Sequence, residues 1–332
     1  MNEKTVKSVL NKYNIKYIKI LKSQSGYRNE IWPVITRSNQ IINLTFFKQE
    51  PKVEDRIKRA SSVSDWLAKQ GLPTRVQIDP RLLAIQSKGY KRVAGLYNYL
   101  PGNTIAWESY TKKHLKLLGY SMAVMHGKLV NYNQPLPNIY DDIISLTNIM
   151  CKYFINIQVL DAIQNKLLLK VDVKQIKTLS SAILSCKNIP NQQVLHMDFV
   201  RGNILYSKDI TSTLSIDGLS VSGILDFEKT TYGYVGIDIG RTLAFLYVDC
   251  KYKNPSQVYK SFLTSGYYKK GLSKVKLNNN LLTNIILYFL LYDFYKFLAH
   301  NPYESLYKNQ HYVRTRNILQ QFGIIKHEQV KG

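Results

Sequence analysis

At Leu100-Pro101-Gly102 the hydrophobic pattern of this sequence changes period, and that switch limits what the chain can fold into. Before it, apolar residues come in short alternating runs, Ile15 to Leu21, Ile31 to Thr36 and Ile41 to Phe47, with Gly26 and Ser38-Asn39 between them as turn residues. Such runs read as strands joined by hairpins. A helix is expected ahead of them, up to about Tyr13. A second is expected over Val53 to Gln70, where Ile57, Val63, Trp66 and Leu67 share a face and Gly71 and Pro73 stop the pattern. Further strands are expected at Val76 to Ile78, Leu83 to Gln86 and Val93 to Tyr97. Beyond Pro101-Gly102 helical spacing dominates, over Thr111 to Leu129, Ile139 to Phe154, Val173 to Cys186, Ser256 to Ser265 and Leu281 to Ala299, broken by a strand-like patch between Val194 and Phe227. The expectation is an α+β chain of two lobes, residues 1–100 small and mostly β, residues 101–332 larger and mainly helical.

The 332 residues are enough for two buried cores. The three cysteines, Cys151, Cys186 and Cys250, are far apart and form no CxxC pair, so neither a disulfide framework nor a thiolate zinc site is indicated. The N-terminus is charged and helix-periodic, unlike a secretory signal, and a cytoplasmic location is expected. Leu281 to Ala299 approaches spanning length but carries Asn284, Asp293 and Lys296; polar groups are costly in hydrocarbon, so a buried helix is expected rather than a membrane span. A net charge of +24 favours association with nucleic acid or anionic surfaces. The lysines are scattered, however, with no compact basic and aromatic block, and such a partner is not favoured.

The chemistry-bearing residues lie in Val194-Leu195-His196-Met197-Asp198-Phe199-Val200-Arg201-Gly202-Asn203-Ile204-Leu205-Tyr206 and Val221-Ser222-Gly223-Ile224-Leu225-Asp226-Phe227-Glu228. Each apolar segment delivers polar residues at its end. Phosphoryl transfer from a nucleotide needs a carboxylate to orient the attacking hydroxyl and take its proton, and oxygen ligands for the metal that neutralises the phosphates. Asp198, Asn203 and Asp226 supply that set. Magnesium completes its shell with phosphates and water, so one carboxylate and one amide suffice.

His196-x-Asp198-x-x-x-x-Asn203 followed by Leu225-Asp226-Phe227-Glu228 resembles the catalytic and metal-binding motifs of the aminoglycoside phosphotransferase family, a branch of the protein-kinase-like fold that also includes choline and homoserine kinases. The resemblance implies a bilobal fold, with a small antiparallel β N-lobe and a large mainly helical C-lobe, that uses ATP or GTP and Mg²⁺. It implies Asp198 as catalytic base, Asn203 and Asp226 as metal ligands, and His196 as a brace for the loop. Gly233 through Asp238 and Arg241 resemble the following helix start, where Asp238 ties back to the catalytic loop. Leu96 through Gly102 is similar to the hinge, whose backbone at Asn98, Tyr99 and Leu100 would meet the nucleotide base, and Leu118 through His126 resembles the first large-lobe helix. Met197 departs from the family, which commonly has glycine there, a change expected to alter packing more than chemistry.

In the small lobe, Ser23 to Tyr27, with Ser25 and Gly26, could cover the phosphates through backbone amides; an ordinary hairpin turn fits the same residues. Lys48 is the candidate for the lysine that meets the α and β phosphates, and in a lysine-rich chain a surface lysine is the alternative. Its carboxylate partner would be Glu54, although alignment through Trp66-Leu67-Ala68 to Gly71-Leu72-Pro73 places Ala60 at that position. His126 is expected to pack at its helix end, and Asp249 has no evident partner. From Lys251 onward the carboxylates are Asp293, Glu304 and Glu328, few for a polycationic aminoglycoside. Tyr288, Tyr292 and Tyr295 would suit a sugar, an amino alcohol or a nucleoside-like acceptor, or would simply be core. The expected activity is phosphorylation of a hydroxyl on a small molecule. A nucleotide-binding pseudokinase acting as a scaffold is the alternative, against which the intact Asp198, Asn203 and Asp226 weigh. A protein kinase ranks last, since no Ala-Pro-Glu follows Asp226.

Overall fold

The computed structural model describes residues 1–25, 29–87, 89–208, 212–269 and 275–327. In chain order the elements are α1 (Glu3–Lys12), β1 (Tyr17–Ile20), β2 (Gln24–Ser25), β3 (Glu30–Thr36), β4 (Ile41–Lys48), α2 (Val53–Lys69), β5 (Gln77–Ser87), β6 (Tyr90–Asn98), α3 (Lys112–Leu129), α4 (Ile139–Phe154), α5 (Ile157–Leu167), β7 (Leu169–Val171) and α6 (Val173–Leu184). There follow β8 (Gln192–Leu195), β9 (Ile204–Ser207), β10 (Ser215–Ile216), β11 (Leu219–Ile224), β12 (Thr231–Tyr234), α7 (Val235–Asp249), α8 (Pro255–Tyr259), α9 (Asn279–His300), α10 (Tyr303–Leu306), α11 (Gln310–Gln321) and β13 (Ile325–His327). Two compact units result, one of Met1–Thr104 with Gly202–Thr230, the other of Ile105–Arg201 with Thr231–Gly332.

The first unit is built on an antiparallel sheet in the order β1-β3-β4-β6-β5, with β2 paired to β3. Alternation in β4 decides what each face holds: Ile42, Leu44 and Phe46 pack with Val6, Val9 and Leu10 of α1 and with Tyr13 just after it, while Phe47 joins Val53 and Ile57 of α2 and Val93 and Tyr97 of β6. The strands expected at Val76 to Ile78 and Leu83 to Gln86 are one strand, β5, whose pairing shifts register between Gln77 and Asp79 and between Asp79 and Leu83. Pro80 lies in that interruption, where a residue without an N–H costs no ladder bond. The segment 202–230 groups with this unit through its backbone: Asn103 and Tyr206 exchange N–H···O bonds of 3.0 and 2.8 Å, and Ile224 N–H donates to Pro73 C=O at 2.8 Å. Gly102 permits the approach, since a Cβ there would lie 2.2 Å from Ser222 Oγ.

The second unit is helical. α7 is buried along nearly its whole length, and α9 packs against it with Leu282, Ile285, Leu290, Leu291, Phe294 and Leu298 buried. A helix that is apolar around most of its circumference is either a core helix or a membrane span. α9 is long and apolar enough to cross a membrane, but its Asp293 is held inside the unit by two side-chain bonds from Arg241. Tyr288 is wholly buried, its hydroxyl donating to Ile143 C=O at 3.1 Å; it is core rather than pocket wall. α3 contacts the π-helical turn Lys260–Tyr267 at backbone distance, because Gly119 carries no side chain.

Candidate active site

The segment from His196 to Asn203 begins where β8 ends. β8 pairs with β12, Leu195 opposite Thr231, and β12 runs straight into α7, whose first turn carries Asp238. That carboxylate is fully buried and satisfied by the segment it faces: Oδ2 accepts the backbone N–H of His196 at 2.7 Å and Oδ1 that of Met197 at 2.8 Å. His126 of α3 adds a third donor, its Nε2 lying 3.1 Å from Oδ2, and its Nδ1 meets the Tyr267 hydroxyl at 2.9 Å. Burial alone pushes the Asp238 carboxyl up, but the His126 hydrogen bond, the electrostatic pull of the His126 and His196 rings and the His196 amide together hold it below the ordinary carboxylate value.

His196 is fully buried, its Nδ1 accepting the Asp198 backbone N–H at 3.2 Å and its ring edge-on to Phe199. Asp198 thus follows two residues whose amides are clamped, and is itself linked back to His196. Met197 takes φ 62°, the left-handed region that glycine occupies without cost. Here a buried methionine adopts that backbone. Arg201 ends the part of the segment that belongs to the second unit, with Nε 3.4 Å from Asp249 Oδ2.

Asn203 and Asp226 belong to the first unit, where antiparallel pairing brings them to the same end of β9 and β11. Ile204 lies opposite Ile224, and Leu225 N–H donates to Asn203 C=O at 2.8 Å. Asp226 has φ 59° and its side chain turns back toward Glu228 N–H, a local bond that helps an acidic residue tolerate this conformation. Two residues on, Glu228 accepts Asn29 Nδ2 at 3.0 Å and Arg56 Nε at 3.0 Å, and Arg56 reaches Glu50 at 2.9 Å with its other arm. The hard oxygens of Asn203 and Asp226 are of the kind magnesium takes. No group of three His, Cys, Asp or Glu side chains able to hold a metal occurs among the described residues.

Lys48 is the last residue of β4, opposite Arg92, and is exposed, as is Glu54 in the first turn of α2. No ion pair joins Lys48 and Glu54 among the described residues; Arg56 of α2 instead pairs with Glu50 and Glu228. Asn98 is already committed, its N–H donating to Val76 C=O at 3.0 Å and its Oδ1 accepting Val76 N–H at 2.7 Å. Tyr99 and Leu100 follow outside the strand, and no hydrogen bond occupies their backbone among the described residues. Ser25 ends β2, and Gly26 lies outside the described residues. Arg241, one turn after Asp238, grips Asp293 through both terminal nitrogens at 2.9 and 3.3 Å and lies over the Phe245 ring.

Sequence reasoning missed three participants. His126 is a partner of Asp238, Asp249 meets Arg201 and His311, and Arg56 bridges Glu50 and Glu228. The only sequence signal was for His126, inside the helix that resembles the family.

Residues 20–251 match the phosphotransferase enzyme family. No curated protein matches the sequence. Among solved structures the chain is similar to an amicoumacin kinase in complex with AMP-PNP, Ca²⁺ and its ligand, at 14% identity over 97% of this chain and 96% of that one, with a TM-score of 0.68. It is also similar to a microcompartment-associated aminopropanol kinase, at 13% identity, 96% and 99% coverage and a TM-score of 0.60. A third is the GDP complex of aminoglycoside 2'-phosphotransferase-IIIa, at 12% identity, 97% and 98% coverage and a TM-score of 0.58. The fold is therefore the bilobal protein-kinase-like fold, with an antiparallel sheet in the small lobe and helices in the large one.

Proposed function

We propose that this chain, which belongs to the phosphotransferase enzyme family, transfers the γ-phosphoryl group of ATP or GTP to a hydroxyl of a small molecule. The observation that carries the reading is the clamp of Asp238 on the amides of His196 and Met197, since catalysis of this transfer rests on positioning rather than covalent chemistry. Asp198 orients the acceptor hydroxyl and takes its proton as the oxygen attacks phosphorus. His196 acts as a brace, because its Nδ1 is occupied by the Asp198 amide.

Asn203 and Asp226 would hold Mg²⁺, which when bound neutralises charge on the phosphates. The remainder of its shell would come from phosphate and water. Arg56 fixes Glu228 and with it the turn that carries Asp226. Lys48 offers a cation for the α and β phosphates, and the backbone of Ser25 and Gly26 offers amides. The backbone of Tyr99 and Leu100, beside Asn98, receives the base. Among the structural neighbours one is bound to AMP-PNP and another to GDP, which supports a purine nucleotide and leaves both triphosphates as donors to test. The acceptor is a small hydroxylated molecule, and the cavity beside α7, α9 and α11 supports its placement in the second unit.

The test is to incubate the full chain with Mg²⁺ and either triphosphate across a panel of sugars, amino alcohols and nucleosides, following product mass. A gain of one phosphoryl group on an acceptor supports the reading. Binding of nucleotide with no product on any acceptor class would turn it toward a nucleotide-binding scaffold.

A further inference from the structure

A cavity of about 330 Å³ lies within the second unit, walled by Phe245, Val248 and Asp249 of α7, Asp293 and Phe297 of α9 and His311 of α11. Its charges are unequally satisfied. Asp293 is bound by both arms of Arg241 and by Lys296 at 2.6 Å; burial pushes its carboxyl up, but those two cations outweigh burial and hold it below the ordinary value. The Arg314 guanidinium is spent on the end of α7, donating to the carbonyls of Tyr247, Val248, Cys250 and Lys251 at 2.6–3.0 Å.

Asp249 is different. It is 8% exposed, and no side chain among the described residues donates a hydrogen bond to its carboxylate. Oδ2 lies 3.4 Å from Arg201 Nε and Oδ1 3.6 Å from His311 Nδ1, both beyond the 2.7–3.2 Å of an N–H···O bond. His311 adds no charge near neutrality, because burial and the charges of Arg201 and Arg314 push its pKa down. Burial pushes the Asp249 carboxyl up to about 6 against the opposing charges of Arg201 and Arg314, so at pH 7 it is an anion with two guanidinium groups nearby and no hydrogen bond from either. Beside it the Phe245 and Phe297 side chains offer apolar surface.

We propose that the acceptor carries a single ammonium group on an apolar body, the ammonium meeting Asp249 at Oδ1 and the body lying against Phe245 and Phe297, so that Asp249 is a specificity-determining residue. One ammonium, not several, is specified because Asp293 is already neutralised by Arg241 and Lys296. An ammonium at hydrogen-bond distance from a desolvated carboxylate is worth far more than the same contact in water. This inference rests on the reading of the cavity as the acceptor site.

Binding of matched probes to the full chain without nucleotide tests it. The probes are 2-amino-1-phenylethanol, 1-phenylethane-1,2-diol, which replaces the ammonium by hydroxyl, and spermine as a polycation, titrated by ligand-observed NMR at pH 7.5. The amine should bind at least about tenfold more tightly than the diol. Asp249→Asn should bring the two to parity while AMP-PNP with Mg²⁺ binds as before. Phe297→Ala should weaken both aromatic probes and leave their ratio unchanged, which keeps the test open should the Asp249 variant fold poorly. Equal binding of amine and diol to the wild type, an amine preference that survives Asp249→Asn, or spermine binding more tightly than the monoamine would each overturn the proposal. Loss of nucleotide binding or turnover with the amine preference intact would instead count against the phosphotransferase reading alone.

Discussion

The carboxylate of Asp238 accepts the backbone N–H of Met197 at 2.8 Å, and Met197 holds φ 62°. A non-glycine residue in that conformation persists where its surroundings over-determine it. Here the surroundings are a buried carboxylate with three donors, reached from β8 on one side and α3 on the other.

Asp238→Ala removes the acceptor for all three donors and leaves them buried. It should destabilise the protein by about 3–5 kcal/mol, measured by chemical denaturation. The folded pKa of Asp238 lies below the ordinary 3.8, so its contribution is present above that value and is lost as pH falls below it through the folded pKa. Wild type should therefore lose more stability than Asp238→Ala between pH 5 and the acid limit; parallel pH curves for the two would contradict the assignment.

Arg56 joins Glu50 to Glu228 within the first unit. Arg56→Met should cost about 2 kcal/mol, because it removes a charge-assisted hydrogen bond from each of two carboxylates. The cost should shrink in a Glu228→Gln background. Additive effects of the two substitutions would show that the pair is not coupled.

On α3, two glycines make opposite predictions. A Cβ on Gly119 would lie 2.0 Å from Phe262 C=O, whereas one on Gly127 would meet nothing within 4 Å. Gly119→Ala should destabilise by about 3 kcal/mol or more and Gly127→Ala should stabilise by about 0.5–1 kcal/mol. Denaturation midpoints of the two variants, shifted in opposite directions, are the check.

Asp226→Asn keeps a residue that tolerates φ 59° but removes the charge offered to the metal. Mg²⁺-dependent tightening of nucleotide binding should fall by at least the ~10-fold that loss of even an outer partner costs a metal site. Titration with AMP-PNP at varied Mg²⁺ would reveal it, and an unchanged Mg²⁺ dependence would remove Asp226 from the metal site.

Much of the fold was legible because it is local. The alternation of Ile42, Leu44 and Phe46 against Thr45 and Phe47 marks β4 and both its faces, and Gly71 with Pro73 stops α2 close to where the pattern does. The apolar runs Val76 to Ile78 and Leu83 to Gln86 read as two strands where one bulged strand runs through Pro80. What stayed hidden depends on contacts between distant residues. His126 lies 112 residues from Asp238 in sequence, and a histidine at a helix end has no spacing that announces such a partner. Asp249 looked solitary because Arg201 and His311 reach it from other elements. It also lies two residues before Lys251, outside the C-terminal stretch whose carboxylates bear on a polycationic acceptor. Tyr288 could be wall or core by periodicity; its bond to Ile143 decides for core.

The central claim is that Asp198 takes the proton of an acceptor hydroxyl while the nucleotide is held by other residues. The measurement that tests it most directly is Mg²⁺-dependent phosphorylation of an acceptor by wild type and Asp198→Ala, with AMP-PNP affinity measured on both proteins. Turnover in the wild type, reduced by about 10²-fold or more in the variant with nucleotide affinity unchanged, is the predicted result. Wild-type turnover by Asp198→Ala, or no nucleotide binding by either protein, would contradict it.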